Sequence, residues 1–339
     1  MYLEELSPIP GVSGDEREVR KYIRECLPRK GVKVENDTMG NLLVQKRGKS
    51  SRKNAPSIML AAHMDEVGLM ISSIEKSGHL RFKKVGGLDD RVLVAKSVLV
   101  GKERVPGVIG SKAVHLQRKE ERQKPYEVKN LFIDIGAKSK EDAEKLVKIG
   151  DYVSFKSSFT SVGEDCYMGK AFDDRVGCSI LLELLKQKNM PSFTAAFTVQ
   201  EEVGFRGART AAYTLQPDIA IVLEGTAASD VPEAKDHEHA TTLGCGPALT
   251  VMDQSVIADR ELLTNLVNLA ERENIPYQFR RFTGGFTDGG AIALAGEGTR
   301  TAVISVPCRY IHSPFSILQQ SDYYHTLKLV QAFLENNSG

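Results

Sequence analysis

Runs of small and branched apolar residues recur along the chain, and each stops at an ionisable residue. Ser57-Ile58-Met59-Leu60-Ala61-Ala62 ends in His63-Met64-Asp65-Glu66, and Ile219-Ala220-Ile221-Val222-Leu223 ends in Glu224. Phe193 to Gln200 ends in Glu201-Glu202, and Ala302 to Pro307 is followed closely by Tyr310-Ile311-His312-Ser313. Uninterrupted apolar runs of this length read as strands buried on both faces, which occur in sheets covered by helices. In open α/β sheets, ligand sites gather beyond the carboxyl ends of the strands. The pattern therefore predicts an α/β sheet that brings these distant residues together.

Composition is that of an ordinary globular protein, with 339 residues, 41% hydrophobic and 26% charged. The length suits one large domain or two moderate ones. A formal net charge of +1 gives no reason to expect nucleic acid or an anionic membrane as partner. No apolar run approaches the roughly 18 residues of a membrane span. Met1 to Pro10 carries Glu4 and Glu5 and lacks the basic start of a signal peptide. The five cysteines, Cys26, Cys166, Cys178, Cys245 and Cys308, are scattered without a CxxC. They read as reduced thiols of a cytoplasmic protein.

Residues 13–27 have the pattern of an amphipathic helix, with Ser13 and Glu16 as a capping box and Pro28 as its stop. Val32–Glu35 and Asn41–Val44 read as strands turning at Met39-Gly40, and residues 48–56 as an exposed basic turn. Between Gly68 and about Val162 the texture changes to short β-like runs: Val67–Ile74, Leu80–Val85, Ser97–Val100, Gly107–Gly110, Leu131–Ile135 and Tyr152–Phe155. One helix-like stretch, Ser139–Ile149, and a charged loop, Arg118–Lys129, interrupt them. This is a small β-rich domain, which divides the chain into 1–67 plus 163–339 around an insert of 68–162. After Gly163 helices are expected over Val176–Lys188, Glu261–Glu273 and Asp322–Leu334, with a further strand over Ala248–Met252. The glycine-rich stretch Phe282 to Gly290 lacks the strand and helix context of a dinucleotide site and suits close backbone approach to a ligand.

Adjacent carboxylates at the end of a buried strand are costly unless something uses their charge. A metal ion would compensate one of Glu201 and Glu202, and the other would be free to move a proton. The plainer alternative is a solvated pair opening a helix. His63 and Asp65, two apart on an extended segment, point the same way; they suit a metal-bound imidazole and the carboxylate that orients it, or a simple loop hydrogen bond. Asp173-Asp174 precedes a helix, which N-capping alone could explain. Taken together, two histidines and several carboxylates make a site for Zn, Co or Mn rather than a thiolate site. His79 and His115 are isolated and read as non-ligands, and His237-Glu238-His239 as a solvated turn.

Five stretches in register resemble the M42 metallo-aminopeptidases, the family of glutamyl aminopeptidase and the tetrahedral TET peptidases. They are Ala62 to Gly68, Gly107 to Lys112, Ala171 to Arg175, Val199 to Gly204 and Val306 to Ser313. The resemblance implies a catalytic α/β/α sandwich with a mixed central sheet, interrupted by a small β-barrel-like (PDZ-like) insert that mediates dimerisation. It implies two divalent metal ions, with His63, Asp173 and Glu224 holding one and Asp173, Glu202 and His312 the other. Glu201 would be the general base and Asp65 would orient His63. Short peptides would be the substrate, and a homo-oligomer, dimer or tetrahedral dodecamer, the assembly.

The chain departs from the family pattern at Glu224, where Asp is common, at Phe286 in the glycine loop, and at Ala293, where many relatives carry His. Two other readings compete with an aminopeptidase. A carboxylate-pair glycoside hydrolase matches the endoglucanase label of some relatives but leaves the histidines unexplained, and the absence of Trp disfavours it. A catalytically inactive peptide-binding scaffold is opposed by the complete ligand set and by Glu201.

Overall fold

The computed structural model describes residues 1–48, 55–119 and 121–337. The exposed turn expected over 48–56 falls mostly on 49–54, outside the described residues. An eleven-stranded mixed sheet runs through the molecule. At its centre the expected buried runs lie side by side and parallel, in the order Phe193–Thr198, Ile58–His63, Ile219–Ala227, Arg300–Arg309. Thr198 pairs with His63 and Glu224 with Ser305, so all four strands deliver their last residues to one edge of the sheet. Antiparallel strands extend it on both sides, Leu42–Lys46 beyond Phe193–Thr198 and Ser316–Gln319 beyond Arg300–Arg309.

Alternation along the strands assigns each residue to one of two cores. Leu60, Ala62, Phe197 and Ile221 pack with the helices Phe172–Lys186, Arg260–Arg272 and Gln320–Asn337. Met59, Ala61, Ala196 and Val222 face the opposite side, against the alanine-rich helix Arg206–Leu215 and Ile292. No helix of the described residues is long and apolar enough to cross a membrane.

The six short β-runs close into an antiparallel barrel with its own core of Leu69, Ile71, Phe82, Val100, Ile109 and Ile133. Its strands run from Gly68 to Phe155. Only Lys140–Glu144 of the longer helical stretch is α-helix, with Ser139 accepting from the Asp142 amide at its start. The strand expected over 248–252 is formed at Ala248–Leu249 alone.

Ser13 and Glu16 do not cap the first long helix, Arg17–Cys26, which has no side-chain cap. The Ser13 hydroxyl instead donates to Asp65 Oδ2 at 2.6 Å, and Glu16 Oε1 accepts from the amides of Gly14 and Gln200. Both residues are used by tertiary partners that a local pattern cannot reveal.

The turn after Phe193–Thr198 is held by Asn41, which is fully buried. Its amide group donates to Gly207 O, Asp37 Oδ2 and Thr210 Oγ1, and its oxygen accepts from the Val199 amide. Helix Arg206–Leu215 sits so close here that a Cβ on Gly207 would lie 2.3 Å from Asn41 Oδ1. Truncating Asn41 strands several buried polar groups. Asn41→Ala is therefore expected to cost about 3 kcal/mol of folding free energy, read from denaturant midpoints; a loss below about 1 kcal/mol would contradict this account of the turn.

Candidate metal centre

Beyond the strand ends, side chains from five parts of the chain converge. His63 Nε2 lies 3.3 Å from Asp173 Oδ1, 3.5 Å from Glu224 Oε2 and 3.9 Å from Glu201 Oε2. His312 Nε2 lies 3.3 Å from Asp173 Oδ2 and 3.4 Å from Glu202 Oε1. Asp173 thus presents one oxygen to each imidazole. Ligand atoms of His63, Asp173 and Glu224 fall within 4.8 Å of one another, and so do those of Asp173, Glu202 and His312. His79, His115, His237 and His239 belong to neither group; His79 lies beside Ser77 and Asp134 on the barrel.

A further layer of contacts fixes these side chains. Asp65 is fully buried. Its Oδ1 accepts from the Glu201 amide at 3.0 Å and its Oδ2 from the Glu202 amide at 3.2 Å. His63 Nδ1 is 3.1 Å from the Asp65 carbonyl and 3.5 Å from its carboxylate. Asp65 is thereby bound to the turn that carries the paired glutamates as closely as to the ring. On the other side, Asp174 Oδ1 accepts from the Gly177 amide, as an N-cap does, while Oδ2 accepts from the His63 amide, so it is a buried cap that also holds the metal-centre strand. The Asp173–Asp174 peptide is cis. Gly225 follows Glu224 because the backbone of Asp173 passes it: a Cβ there would lie 2.9 Å from Asp173 Cα.

His312 takes its orientation from the barrel. Its Nδ1 lies 2.9 Å from the carbonyl oxygen of Gly87, just after the barrel strand Leu80–Val85. This contact, the Asp174 contact and the buried pair Asp288–Thr198 at 2.5 Å escaped the sequence reading. Gly87 acts through its backbone, which leaves no side-chain signal. Asp174 could have been recognised from its place beside Asp173, had N-capping not offered an adequate local explanation.

The electrostatics are those of a site crowded with negative charge. Burial pushes the Glu201 carboxyl well above its ordinary range, Glu202 up to about 7 and Glu224 up to about 8. Burial would push Asp173 up as well, but hydrogen bonds with His312 and His63 hold it below the usual carboxylate range. Burial disfavours the imidazolium forms, yet the surrounding carboxylates outweigh it, raising His63 well above its ordinary value and His312 to about 9. In the metal-free protein, protons do the work of neutralisation. Divalent cations fit the same donors. Glu224 Oε1 is buried without a hydrogen-bond partner, and neutral imidazole with carboxylate is a borderline-to-hard donor set.

The site opens into a cavity of about 540 Å³, a volume typical of small-molecule pockets. His63, Asp173, Glu201, Glu202, Glu224 and His312 all line it. Phe286 stands in the same cavity, tilted against Phe205 at 6.1 Å between ring centres. Ala293, at the end of the short helix Asp288–Ala293, packs instead with the alanine-rich core.

Comparison with known proteins agrees with this architecture. A putative aminopeptidase of Acetivibrio thermocellus is 39% identical over 330 residues, covering 97% of this chain and 96% of that protein. A lysyl aminopeptidase of Pyrococcus furiosus is 33% identical, with 96% of this chain and 94% of the relative covered. Among solved structures, the aminopeptidase APDkam598 from the archaeon Desulfurococcus kamchatkensis superposes with a TM-score of 0.93 at 38% identity, over 98% of this chain and 93% of that one. PhTET1-12s, a dodecamer, gives 0.85 at 35% identity, over 98% and 97%. The profile of the M42 glutamyl aminopeptidase family matches residues 40–329, and the chain belongs to that family.

Proposed function

We propose that this chain is a dinuclear metal-dependent aminopeptidase that removes N-terminal residues from short peptides. The observation that supports it most is the sharing of Asp173 between two histidine-carboxylate groups, with the Glu201 carboxylate beside them. His63, Asp173 and Glu224 would hold one ion and Asp173, Glu202 and His312 the other. Zn or Co suits these donors best, and Mn is a further option. Such ions would supply Lewis acidity, lowering the pKa of water and polarising the scissile carbonyl.

The chain's own residues do the rest. Glu201 accepts the proton of the attacking water and returns it to the leaving nitrogen as the C–N bond breaks. The products are a free amino acid and a peptide shorter by one residue. The burial of Glu201 beside His63 suits both halves of that transfer. Asp65 keeps Glu201 and Glu202 in register and orients His63, and Gly87 O directs His312 Nε2 inward. The free α-amino group of the substrate would be met by the carboxylates of the site. A glycosidase built on a carboxylate pair would leave both imidazoles without a role.

Residues 68–162 form, in this proposal, an inserted module that pairs two copies of the chain, and the catalytic domain is 1–67 with 163–339. The barrel-borne Gly87 contact to His312 ties that module to the metal centre. A cytoplasmic setting accords with five free cysteines.

Hydrolysis of an aminoacyl-p-nitroanilide panel tests the activity. Release is expected to vanish on chelation and return with Zn²⁺, Co²⁺ or Mn²⁺. Glu201→Gln should bind metal and lose about 10²–10⁴-fold in kcat. Turnover that survives chelation would contradict the metal-dependent reading, and silence across the panel with metal bound would favour a longer-peptide requirement or an inactive scaffold.

Metal binding should also be linked to pH. Because Glu202 and Glu224 keep their protons up to about 7 and 8 when folded, against 4.5 ordinarily, the metal-free fold binds more protons than the unfolded chain over that range. These groups therefore stabilise the metal-free fold below about pH 4.5, and that contribution is lost as pH rises through 7–8. Ions displace the protons, so the Tm gained on adding Zn²⁺ should grow from pH 5.5 to pH 8. A gain that is flat or falls with pH would contradict it.

A further inference from the structure

One buried polar pair has no part in the proposed mechanism. Asp288 and Thr198 are both fully buried. The Thr198 hydroxyl donates to Asp288 Oδ2 at 2.5 Å, and Ala62 O lies farther from it, at 3.3 Å. A hydroxyl has a single proton to donate, and the short contact to the carboxyl takes it. Asp288 Oδ1 is buried without a hydrogen-bond partner, so Oδ2 is where the carboxyl is tied. Burying a carboxyl with so little compensation is costly, and packing alone gives no reason for it.

The two residues come from segments that both reach the site. Thr198 ends its strand beside His63 and stands three residues before Glu201. Asp288 opens the short helix Asp288–Ala293, directly after a glycine-rich loop whose Gly284, Gly285, Phe286 and Thr287 line the cavity. Gly290 lets that helix press against its neighbour, since a Cβ there would lie 2.5 Å from Ser255 Cβ. The Asp288 carboxyl acts through space on Glu201 and Glu224, which places it behind the metal centre.

The turn that carries the general base has several holds. Asn41 accepts from the Val199 amide, Glu16 from the Gln200 amide, and Asp65 from the amides of Glu201 and Glu202. Asp288 differs from these in belonging to the wall of the cavity. The loop has anchors of its own: the Thr287 amide donates to Ser255 Oγ, and the Thr287 hydroxyl to Asp253 Oδ2. Loop and turn are thus each fixed separately, and the Thr198–Asp288 hydrogen bond sets one against the other. The Phe205–Phe286 contact joins the same two segments, but Phe286 is exposed, whereas the polar link is sealed from water. We infer that Asp288, acting through Thr198, is a positioning residue. It keeps the substrate-lining loop in register with the turn that carries Glu201, and so fixes a bound peptide relative to the base. The inference rests on the aminopeptidase reading.

Thr198→Val removes the hydroxyl with little change of shape and leaves every charge in place. With metal-loaded protein and a substrate that the wild type turns over, kcat is expected to fall roughly 10- to 100-fold, because small misplacements of reacting groups are that costly. KM should move less than about threefold, since Asp253 and Ser255 still anchor the loop, and metal content per chain should match the wild type. Thr198→Ser restores the donor and should bring kcat back to within about threefold of the wild type. Asp288→Ala should resemble Thr198→Val, and the double variant should be no slower than the slower single, because residues acting through one contact do not add. Full kcat in Thr198→Val, with or without a lowered Tm, would overturn the inference and leave the aminopeptidase reading standing. Multiplied losses in the double variant, a loss confined to KM, or a lowered metal content would overturn it as well. Should one of the Val and Ala variants not fold, the other, read against Thr198→Ser, decides; if neither folds, the pair is structural and the inference falls. A wild type silent on aminoacyl and longer peptide substrates alike would overturn both readings.

Discussion

The arrangement depends on one shared carboxylate. Asp173 lies between His63 and His312, 3.3 Å from each, and brings two three-residue donor groups into a single cluster. Around it stand Glu201, Glu202 and Glu224, which burial alone would keep protonated at neutral pH. Like charges this close cannot all ionise in a low-dielectric site. Either protons or cations must balance them, and Glu224 Oε1, buried without a hydrogen-bond partner, is free for the second.

The parallel sheet makes that concentration of charge affordable in structural terms. Four adjacent strands end at one edge, so each contributes its polar terminus while its apolar length stays in the two cores. Backbone amides then do much of the positioning. Those of Glu201 and Glu202 donate to Asp65, and that of His63 donates to Asp174. The barrel adds Gly87 O, an orienting contact from a separate hydrophobic core.

Much of this was legible in the sequence because the underlying signals are strong and local. Buried strands show as apolar runs, and the abrupt change to His63, Glu201, Glu224 and the His312 turn marks where each strand meets solvent or ligand. The six barrel strands are equally visible, as short alternating runs between turns. What failed was the reading of residues with two adequate uses. Ser13 and Glu16 match a helix cap but serve Asp65 and the Gln200 turn. Asp174 does cap its helix through the Gly177 amide, but it also holds the His63 backbone, which the cap alone would not reveal. Asp288 closes a glycine-rich loop, and only the fold shows that its carboxyl reaches the Thr198 hydroxyl at the strand end. Contacts made by backbone, such as Gly87 O, carry no sequence signature at all.

The central claim is that one carboxylate bridges two ion sites. Metal content per chain, measured by mass spectrometry of elements after dialysis against limiting Zn²⁺ or Co²⁺, tests it most directly. The account predicts two ions in the wild type, one in His312→Ala, and loss of both in Asp173→Ala. A wild type that saturates at one ion, or an Asp173→Ala variant that retains one at full affinity, would contradict it.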